Sequence, residues 1–334
     1  MNIEIKGEDE IIRTYFAPLA KDNLDAFGLL DDCAILRPTQ GTDLILSTDA
    51  IAEGIHFLRN DHPENIGWKA LAVSVSDLAA KGAIPLVYQM ALSFPTAPTQ
   101  DFMVRFTKGL AEAQKSFGIK LSGGDSDQRP GPFSVTVTVI GEVPYNRMVA
   151  RAGGGAGQSL FISGSLGEAA LGLKLRRREK CTRFWNLDNS EISELERRYL
   201  RPTPRLDIRD ILRQYATSSI DISDGLYKDL EHLSSASKCG AVIEIASLPL
   251  SPVVKKILKK DRELIALILT GGDDYEILFS VPDDKIGEVT RLSQSLGVRI
   301  TKIGSLTKSP KIIVQDEKDN PMQVEKFGWD HFSP

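Results

Sequence analysis

Short apolar runs that end in Ser, Thr or Gly and then in aspartate recur along this chain. The instances are Leu44-Ile-Leu-Ser-Thr-Asp49, Leu121-Ser-Gly-Gly-Asp125 and Ile220-Asp-Ile-Ser-Asp224. Leu269-Thr-Gly-Gly-Asp-Asp274 is related, Val75-Ser-Asp77 closes a helical run, and Asp31-Asp32 precedes another apolar run. A single aspartate at a strand end is usually a cap or turn residue. Six such sites beside small residues make coincidence a poor account. Carboxylates at strand ends, next to residues that let a ligand approach the backbone, suit hard cations and the phosphates they carry. Magnesium takes few protein carboxylates and fills its octahedron with water and phosphate oxygens. Scattered aspartates therefore fit two or more ions bridged by a polyphosphate. The economical reading is an enzyme that binds magnesium and a nucleoside triphosphate without a P-loop.

The runs alternate with helical periodicity, which predicts an α/β fold with mixed sheets. Ile11, Ile12, Tyr15, Phe16 and Leu19 share a helical face, so an opening helix is expected over 9–20. Strands are expected at 33–37, 43–49 and 84–94. A helix beginning at Pro63 should stop at Gly82, and an amphipathic one over 98–117 should end at Gly118. Phe133, Val135, Val137 and Val139 alternate strictly with polar residues, the pattern of a strand with one buried face. The chain of 334 residues allows two domains, expected over 1–150 and 151–334. The second repeats the alternation, with helices near 166–178, 191–200, 205–215, 225–238, 252–259, 261–269 and 283–296. Its strands are expected at 159–163, 218–223, 241–245, 277–281, 298–303 and 311–315. Residues 176–190 are charged and irregular and read as an exposed insertion. Ser122-Gly-Gly-Asp125 echoes Thr270-Gly-Gly-Asp273, through either two related domains or one common turn used twice.

Composition narrows the partners. A net charge of -4 argues against nucleic acid. It does not argue against phosphate ligands, since bound magnesium reverses the local sign. No apolar run approaches a membrane span, and Met1 to Glu10 is acidic without the apolar core of a signal peptide. Cys33, Cys181 and Cys239 lie far apart, which suits a reducing cytoplasm.

Other features carry less. Ala152-Gly-Gly-Gly-Ala-Gly157 looks like a phosphate loop, but no Gly-Lys-Ser/Thr follows and position 158 is Gln. It reads as a flexible connection. Arg151 beside it is either solvated or a phosphate partner. His56, seven residues after Asp49, is the histidine nearest an acidic motif. Arg176-Arg-Arg-Glu-Lys180 suits a solvated helix C-terminus. Trp329 is either a core plug or a stacking surface, and its spacing favours the plug.

Taken together the motifs resemble the thiamine-monophosphate kinase family, of the aminoimidazole ribonucleotide synthetase-like superfamily. The matching segments are Asp31-Asp-Cys-Ala34, Ser47-Thr-Asp49 with Glu53-Gly-Ile-His-Phe57, and the stretch from Lys69 to Ala83. They continue with Gly123-Gly-Asp125, Ile220-Asp-Ile-Ser-Asp-Gly225, Gly271-Gly-Asp-Asp-Tyr-Glu276 and Gly328-Trp-Asp-His-Phe332. The resemblance implies a two-domain fold of that superfamily. The N-terminal domain would bind ATP and magnesium and pair its sheet with a twin in a homodimer. Strand 132–140 and its neighbours offer apolar alternate positions for a partner sheet to cover. The implied magnesium ligands, for several ions, are Asp32, Ser47, Thr48, Asp49, Asp77, Asp125, Asp221 and Asp224. Gly124, Asp125, Arg151 and Ser223 would contact ATP, the co-substrate. His56, Asp273 and Trp329 would contact thiamine monophosphate.

The implied activity is transfer of the γ-phosphoryl of ATP to thiamine monophosphate, giving thiamine diphosphate, the last step of that biosynthesis. The acceptor is an ionised phosphate, so no general base is expected. Three departures stand out: Leu30 where the family often has Gly, Asp273 where it has Glu, and Gly153-Gly-Gly-Ala-Gly-Gln158 where it has Gly-x-x-Pro-Gly-Asp. The alternatives are another ATP-using enzyme of the superfamily, of the aminoimidazole ribonucleotide synthetase or selenophosphate synthetase kind, or a non-catalytic nucleotide-binding subunit. Cys33 directly follows Asp32 and lacks the Gly-rich setting of a selenophosphate synthetase nucleophile.

Overall fold

The computed structural model describes residues 5, 7–324 and 328. The chain divides into two compact units, 1–78 with 83–147, and 79–82 with 148–334.

The first unit is built on a mixed sheet of β1 (Thr42–Ala52), β2 (Ile84–Phe94), β3 (Lys120–Gln128) and β4 (Ser134–Pro144), in the order β1-β4-β2-β3. β4 pairs antiparallel with both neighbours, and β2 and β3 run parallel. The helix Gln100–Phe117 starts where Thr99 accepts a hydrogen bond from the Phe102 amide and stops at Gly118, whose φ is 68°. It meets the helix Pro63–Ala80 almost backbone to backbone. A Cβ on Gly109 would stand 1.9 Å from the Glu64 carbonyl oxygen, and one on Gly67 would stand 2.3 Å from that of Phe106. Phe94, Phe102, Phe106 and Phe133 close the core in stacked and edge-on pairs.

Phe133, Val135, Val137 and Val139 are buried in the chain's own core, against its own helices. The expectation that a partner sheet covers the apolar positions of strand 132–140 is therefore corrected for this strand, and it stays open for its neighbours. The face left open carries Leu44, Leu46, Thr48 and Ala50 on β1 and Gln89 and Ala91 on β2. The expected strand at 33–37 is absent. Cys33 and Ile35 are both exposed, so no buried face rewards pairing, and the segment is tied instead by Ile35 N–H to the Asp25 carbonyl, Cys33 N–H to Asp31 Oδ1 and an Arg37–Asp25 ion pair. The opening helical segment runs from Glu8 to Ala20 with a π turn at Ile12–Phe16.

The second unit holds β5 (Ser159–Ser163), β6 (Ser218–Asp221), β7 (Gly240–Glu244), β8 (Ile277–Val281), β9 (Ile300–Thr307), β10 (Ile312–Gln315) and β11 (Pro321–Met322). Their order is β11-β10-β7-β9-β5-β8-β6, with only β10 and β7 parallel. β5, β6 and β8 are buried along their whole length, as expected of strands covered on both faces. The stretch 176–190 is not simply an exposed insertion: Trp185 is 1% exposed and sits in the main core, while its neighbour Phe184 points outward. The glycine run before β5 is irregular but tied down. Gly154 N–H donates to Ser237 Oγ, Gly155 N–H to Gln158 Oε1 and Gly157 N–H to the Leu306 carbonyl. The two Gly-Gly-Asp segments have different settings, one extended inside β3 and the other in the turn after the helix Leu264–Thr270.

The second unit buries an ion pair at its centre. Glu276, 1% exposed, takes both hydrogen bonds of Arg205 at 2.5 and 2.6 Å and a third from the Ser163 hydroxyl at 2.7 Å. Removing Arg205 leaves the buried Glu276 with the more distant Arg198, 3.7 Å away, and the Ser163 hydroxyl to offset its charge. Arg205→Met should lower the unfolding free energy by about 3–5 kcal/mol, read from denaturant melts, and adding Glu276→Gln should recover part of the loss.

Candidate active site

The acidic motifs assemble into separate groups within each unit. In the first unit, β1 alternation puts Ser47 and Asp49 on one face and Thr48 on the other. The Ser47 hydroxyl donates to Asp77, which the helix Pro63–Ala80 brings alongside. Asp49 accepts a hydrogen bond from Ser74, yet its Oδ2 is buried without a partner. Burial and then the neighbouring charge of Asp77 push the Asp49 carboxyl up to about 6. Thr48 instead bonds Thr138 across the open face at 2.9 Å.

On that open face lies a cavity of about 550 Å³ lined by Asp31, Asp32, Gly123, Gly124, Asp125 and Thr138, among others. Its size is that of a nucleotide-scale pocket. Gly124 is required by packing, because a Cβ there would lie 2.0 Å from the Met90 carbonyl oxygen. Asp125 is exposed within β3, not at its end, and one of its oxygens accepts the Ser126 amide. His56 sits in the turn after β1, its Nδ1 accepting the Ala52 amide at 3.0 Å, which assigns the proton of the neutral ring to Nε2.

In the second unit two loops run side by side. Residues 221–224 follow β6, and residues 271–276 lead into β8. Asp273 N–H donates to the Ser223 carbonyl, Tyr275 N–H to the Ile222 carbonyl and Ile222 N–H to the Glu276 carbonyl. Asp221, Ser223, Asp224 and Asp273 are thereby brought together. Asp224 pairs with Lys228 at 2.8 Å, and its amide donates to Asp229 at 3.0 Å. Asp229 is buried, and burial followed by the charges of Asp221 and Asp224 raises its carboxyl well above the usual range. Arg151 is exposed at the edge of this group: the preceding carbonyl, of Ala150, accepts the Ser219 amide two residues before Asp221. Lys81 Nζ donates to the Ser219 carbonyl at 2.7 Å. Gly328 lies against Asp224 and Lys228, and Trp329, next in the chain, is outside the described residues.

Among the described residues no three His, Cys, Asp or Glu side chains converge as a preformed metal cage. The Asp49–Asp77 pair with the Ser47 hydroxyl still fits magnesium, which needs few protein carboxylates, and the buried unpartnered Oδ2 is the atom such an ion would satisfy. Asp229, Asp274 and Tyr275 escaped sequence reasoning because their roles depend on partners in other segments. The one local clue was the density of acids after Asp221.

Comparison with known proteins follows the same lines. Residues 30–143 match the family AIR synthase related protein, N-terminal domain, and residues 155–317 match AIR synthase related protein, C-terminal domain. Thiamine-monophosphate kinase of Escherichia coli (strain K12) is 35% identical over 328 residues, covering 98% of each chain. The crystal structure of thiamine-monophosphate kinase from Stenotrophomonas maltophilia K279a superposes with a TM-score of 0.81 at 32% identity, over 90% of this chain and 96% of that one. A solved complex of AaThiL with AMPPCP and TMP gives a TM-score of 0.77 at 32% identity, over 93% and 98%. The chain belongs to the thiamine-monophosphate kinase family of AIR synthase related proteins.

Proposed function

We propose that this protein is a thiamine-monophosphate kinase that transfers the γ-phosphoryl of ATP directly to thiamine monophosphate. The observation that carries the reading is the likeness to AaThiL, solved with AMPPCP and TMP, over 93% of this chain. Three separate free cysteines support a reducing cytoplasm as its place of action.

The chemistry asks little of a general base. A phosphomonoester loses its second proton near pH 6, so the acceptor oxygen is largely ionised at neutral pH. That oxygen bonds to the γ-phosphorus as the bond to the β,γ-bridging oxygen breaks, and ADP leaves with the electron pair. Catalysis is then positioning and charge neutralisation. Bound magnesium would supply the positive charge that lets two polyanions meet. Asp32, Ser47, Asp49, Asp77 and Asp125 in the first unit, and Asp221 and Asp224 in the second, are the candidates to hold it. Thr48 is a further candidate on the other face of β1, its hydroxyl bonded to Thr138 of the cavity lining. Gly124, Asp125, Arg151 and Ser223 are assigned to ATP, and His56, Asp273 and Trp329 to the acceptor.

ADP release in the presence of magnesium and ATP should require thiamine monophosphate and should not occur with thiamine or with no acceptor. Equal ADP release without acceptor would sink the reading, and silence with every acceptor would favour a non-catalytic nucleotide-binding subunit.

Asp49→Asn should lower turnover roughly 100-fold or more, a loss comparable to removing a charge-stabilising group elsewhere in catalysis. It should also change apo stability in a defined direction. A carboxyl raised from 3.8 to about 6 contributes stability below pH 4 that is lost as pH rises through 6. At pH 8 the ligand-free variant should therefore melt higher than wild type, by up to about 2–3 kcal/mol of stability, and the advantage should vanish near pH 4. Near-normal turnover in the folded variant would remove Asp49 from the metal set.

The open sheet face supports a homodimer. Leu46 is 63% exposed there and stands opposite Ile140. An apolar sheet face of this kind is ordinarily covered. Light scattering should give twice the chain mass at micromolar concentration, and Leu46→Lys should shift it toward one chain. A wild-type monomer would overturn the dimer.

A further inference from the structure

We infer that Tyr275 is a positioning residue whose hydroxyl sets the aim of the Asp273 carboxylate toward the cationic heteroaromatic head of the acceptor. The inference rests on the proposed reading that Asp273 contacts thiamine monophosphate.

The segment around Asp273 is held in an unusual conformation. Asp273 and Tyr275 both have left-handed backbones, with φ of 71° and 50°, although neither is glycine. Such conformations cost free energy and persist only where neighbours over-determine them. Here the neighbours are plain. Asp274 turns inward and takes the Gly167 amide with both carboxylate oxygens at 3.0 Å. Glu276 is locked by Arg205 and Ser163. The amides of Asp273 and Tyr275 are tied to the 222–223 backbone. Gly272 lies so close that a Cβ would stand 2.2 Å from the Ser223 carbonyl oxygen.

With the backbone of the turn fixed at these points, the remaining freedom of Asp273 is rotation of its short side chain. The Tyr275 ring is 7% exposed and its hydroxyl donates to Asp273 Oδ1 at 3.2 Å. A phenol anchored by a buried ring is a stiff donor, with two side-chain torsions both fixed by packing. It restrains the Asp273 side chain and so helps to pre-orient a carboxylate that is partly exposed. Pre-orientation of this kind strengthens ligand binding by reducing what must be ordered on association. A carboxylate held this way suits a cationic ring or an aromatic amine and does not suit the phosphates of ATP.

The test compares Tyr275→Phe, Asp273→Ala and the double variant by steady-state kinetics with thiamine monophosphate and ATP varied separately, beside melting curves. Tyr275→Phe keeps the buried ring and removes only the hydroxyl. The expected result is a roughly 10-fold rise in KM for thiamine monophosphate, a KM for ATP within about 2-fold, and a smaller change in kcat than in the acceptor KM. In the Asp273→Ala background the same change should add nothing further. An unchanged acceptor KM in Tyr275→Phe, while Asp273→Ala raises it, would overturn the inference and leave the proposed function intact. Equal rises in both KM values, or a further rise in the double variant, would assign Tyr275 to loop packing and also overturn it. An acceptor KM unmoved by Asp273→Ala would refute the assignment of Asp273 itself.

Discussion

Crowding carboxylates in a partly dry environment is the constraint around which the candidate site is organised. Coulomb repulsion between like charges grows as the local dielectric falls, and each buried charge also loses its hydration. Two groups in this chain meet that constraint differently. Asp229 sits beneath Asp221 and Asp224, but the backbone amides of Ser223 and Asp224 point at it and Lys228 pairs with Asp224. That group is largely satisfied from within. Asp49 has Asp77 beside it, the Ser74 hydroxyl on one side and nothing on Oδ2. Its unsatisfied oxygen needs a proton or a cation. At neutral pH, with a carboxyl poised near 6, a hard cation competes well for that position.

The same economy appears in how the second unit builds its turn. Left-handed Asp273 and Tyr275 are local costs, and the Glu276–Arg205 pair and the Asp274–Gly167 contact offset them from either side. Unfavourable conformations concentrated where a ligand contact is assigned are the usual arrangement in enzymes. Arg205→Met therefore tests more than an ion pair, since a loosened Glu276 also frees one end of the turn.

Much of the fold was legible in the sequence because periodicity and end signals act locally. Gly118 at a helix end, Pro63 at a helix start and the strict alternation of 133–139 each predict one element without reference to the rest. The failures share a cause. Residues 33–37 had a strand-like composition but no strand beside them to pair with. The alternation of 133–139 identified a buried face, and the chain's own helices bury it, so the apolar face left exposed is that of Leu44 and Leu46, in a run whose alternation between the two faces its composition does not announce. Trp185 is core although its neighbours are charged, because one indole outweighs several solvated side chains in burial free energy. At the site, the acidic motifs were visible, whereas Asp229, Asp274 and Tyr275 depend on loops far apart in sequence that the fold brings side by side. The sequence assignment of Trp329 falls on a residue outside those described.

The side chains within one acidic motif differ in their surroundings. Asp273-Asp274 looks like a doubled ligand, yet the left-handed turn sends one carboxylate inward to the Gly167 amide and leaves the other partly exposed. In Ser47-Thr-Asp49, strand alternation sets Ser47 and Asp49 on one face and Thr48 on the other, beside Thr138 of the cavity lining. Asp224 is paired with Lys228, which takes up part of its charge. Magnesium asks few carboxylates of a protein when phosphates and water complete its shell. Aspartate motifs that form no closed carboxylate cage among the described residues suit ions that arrive with a polyphosphate.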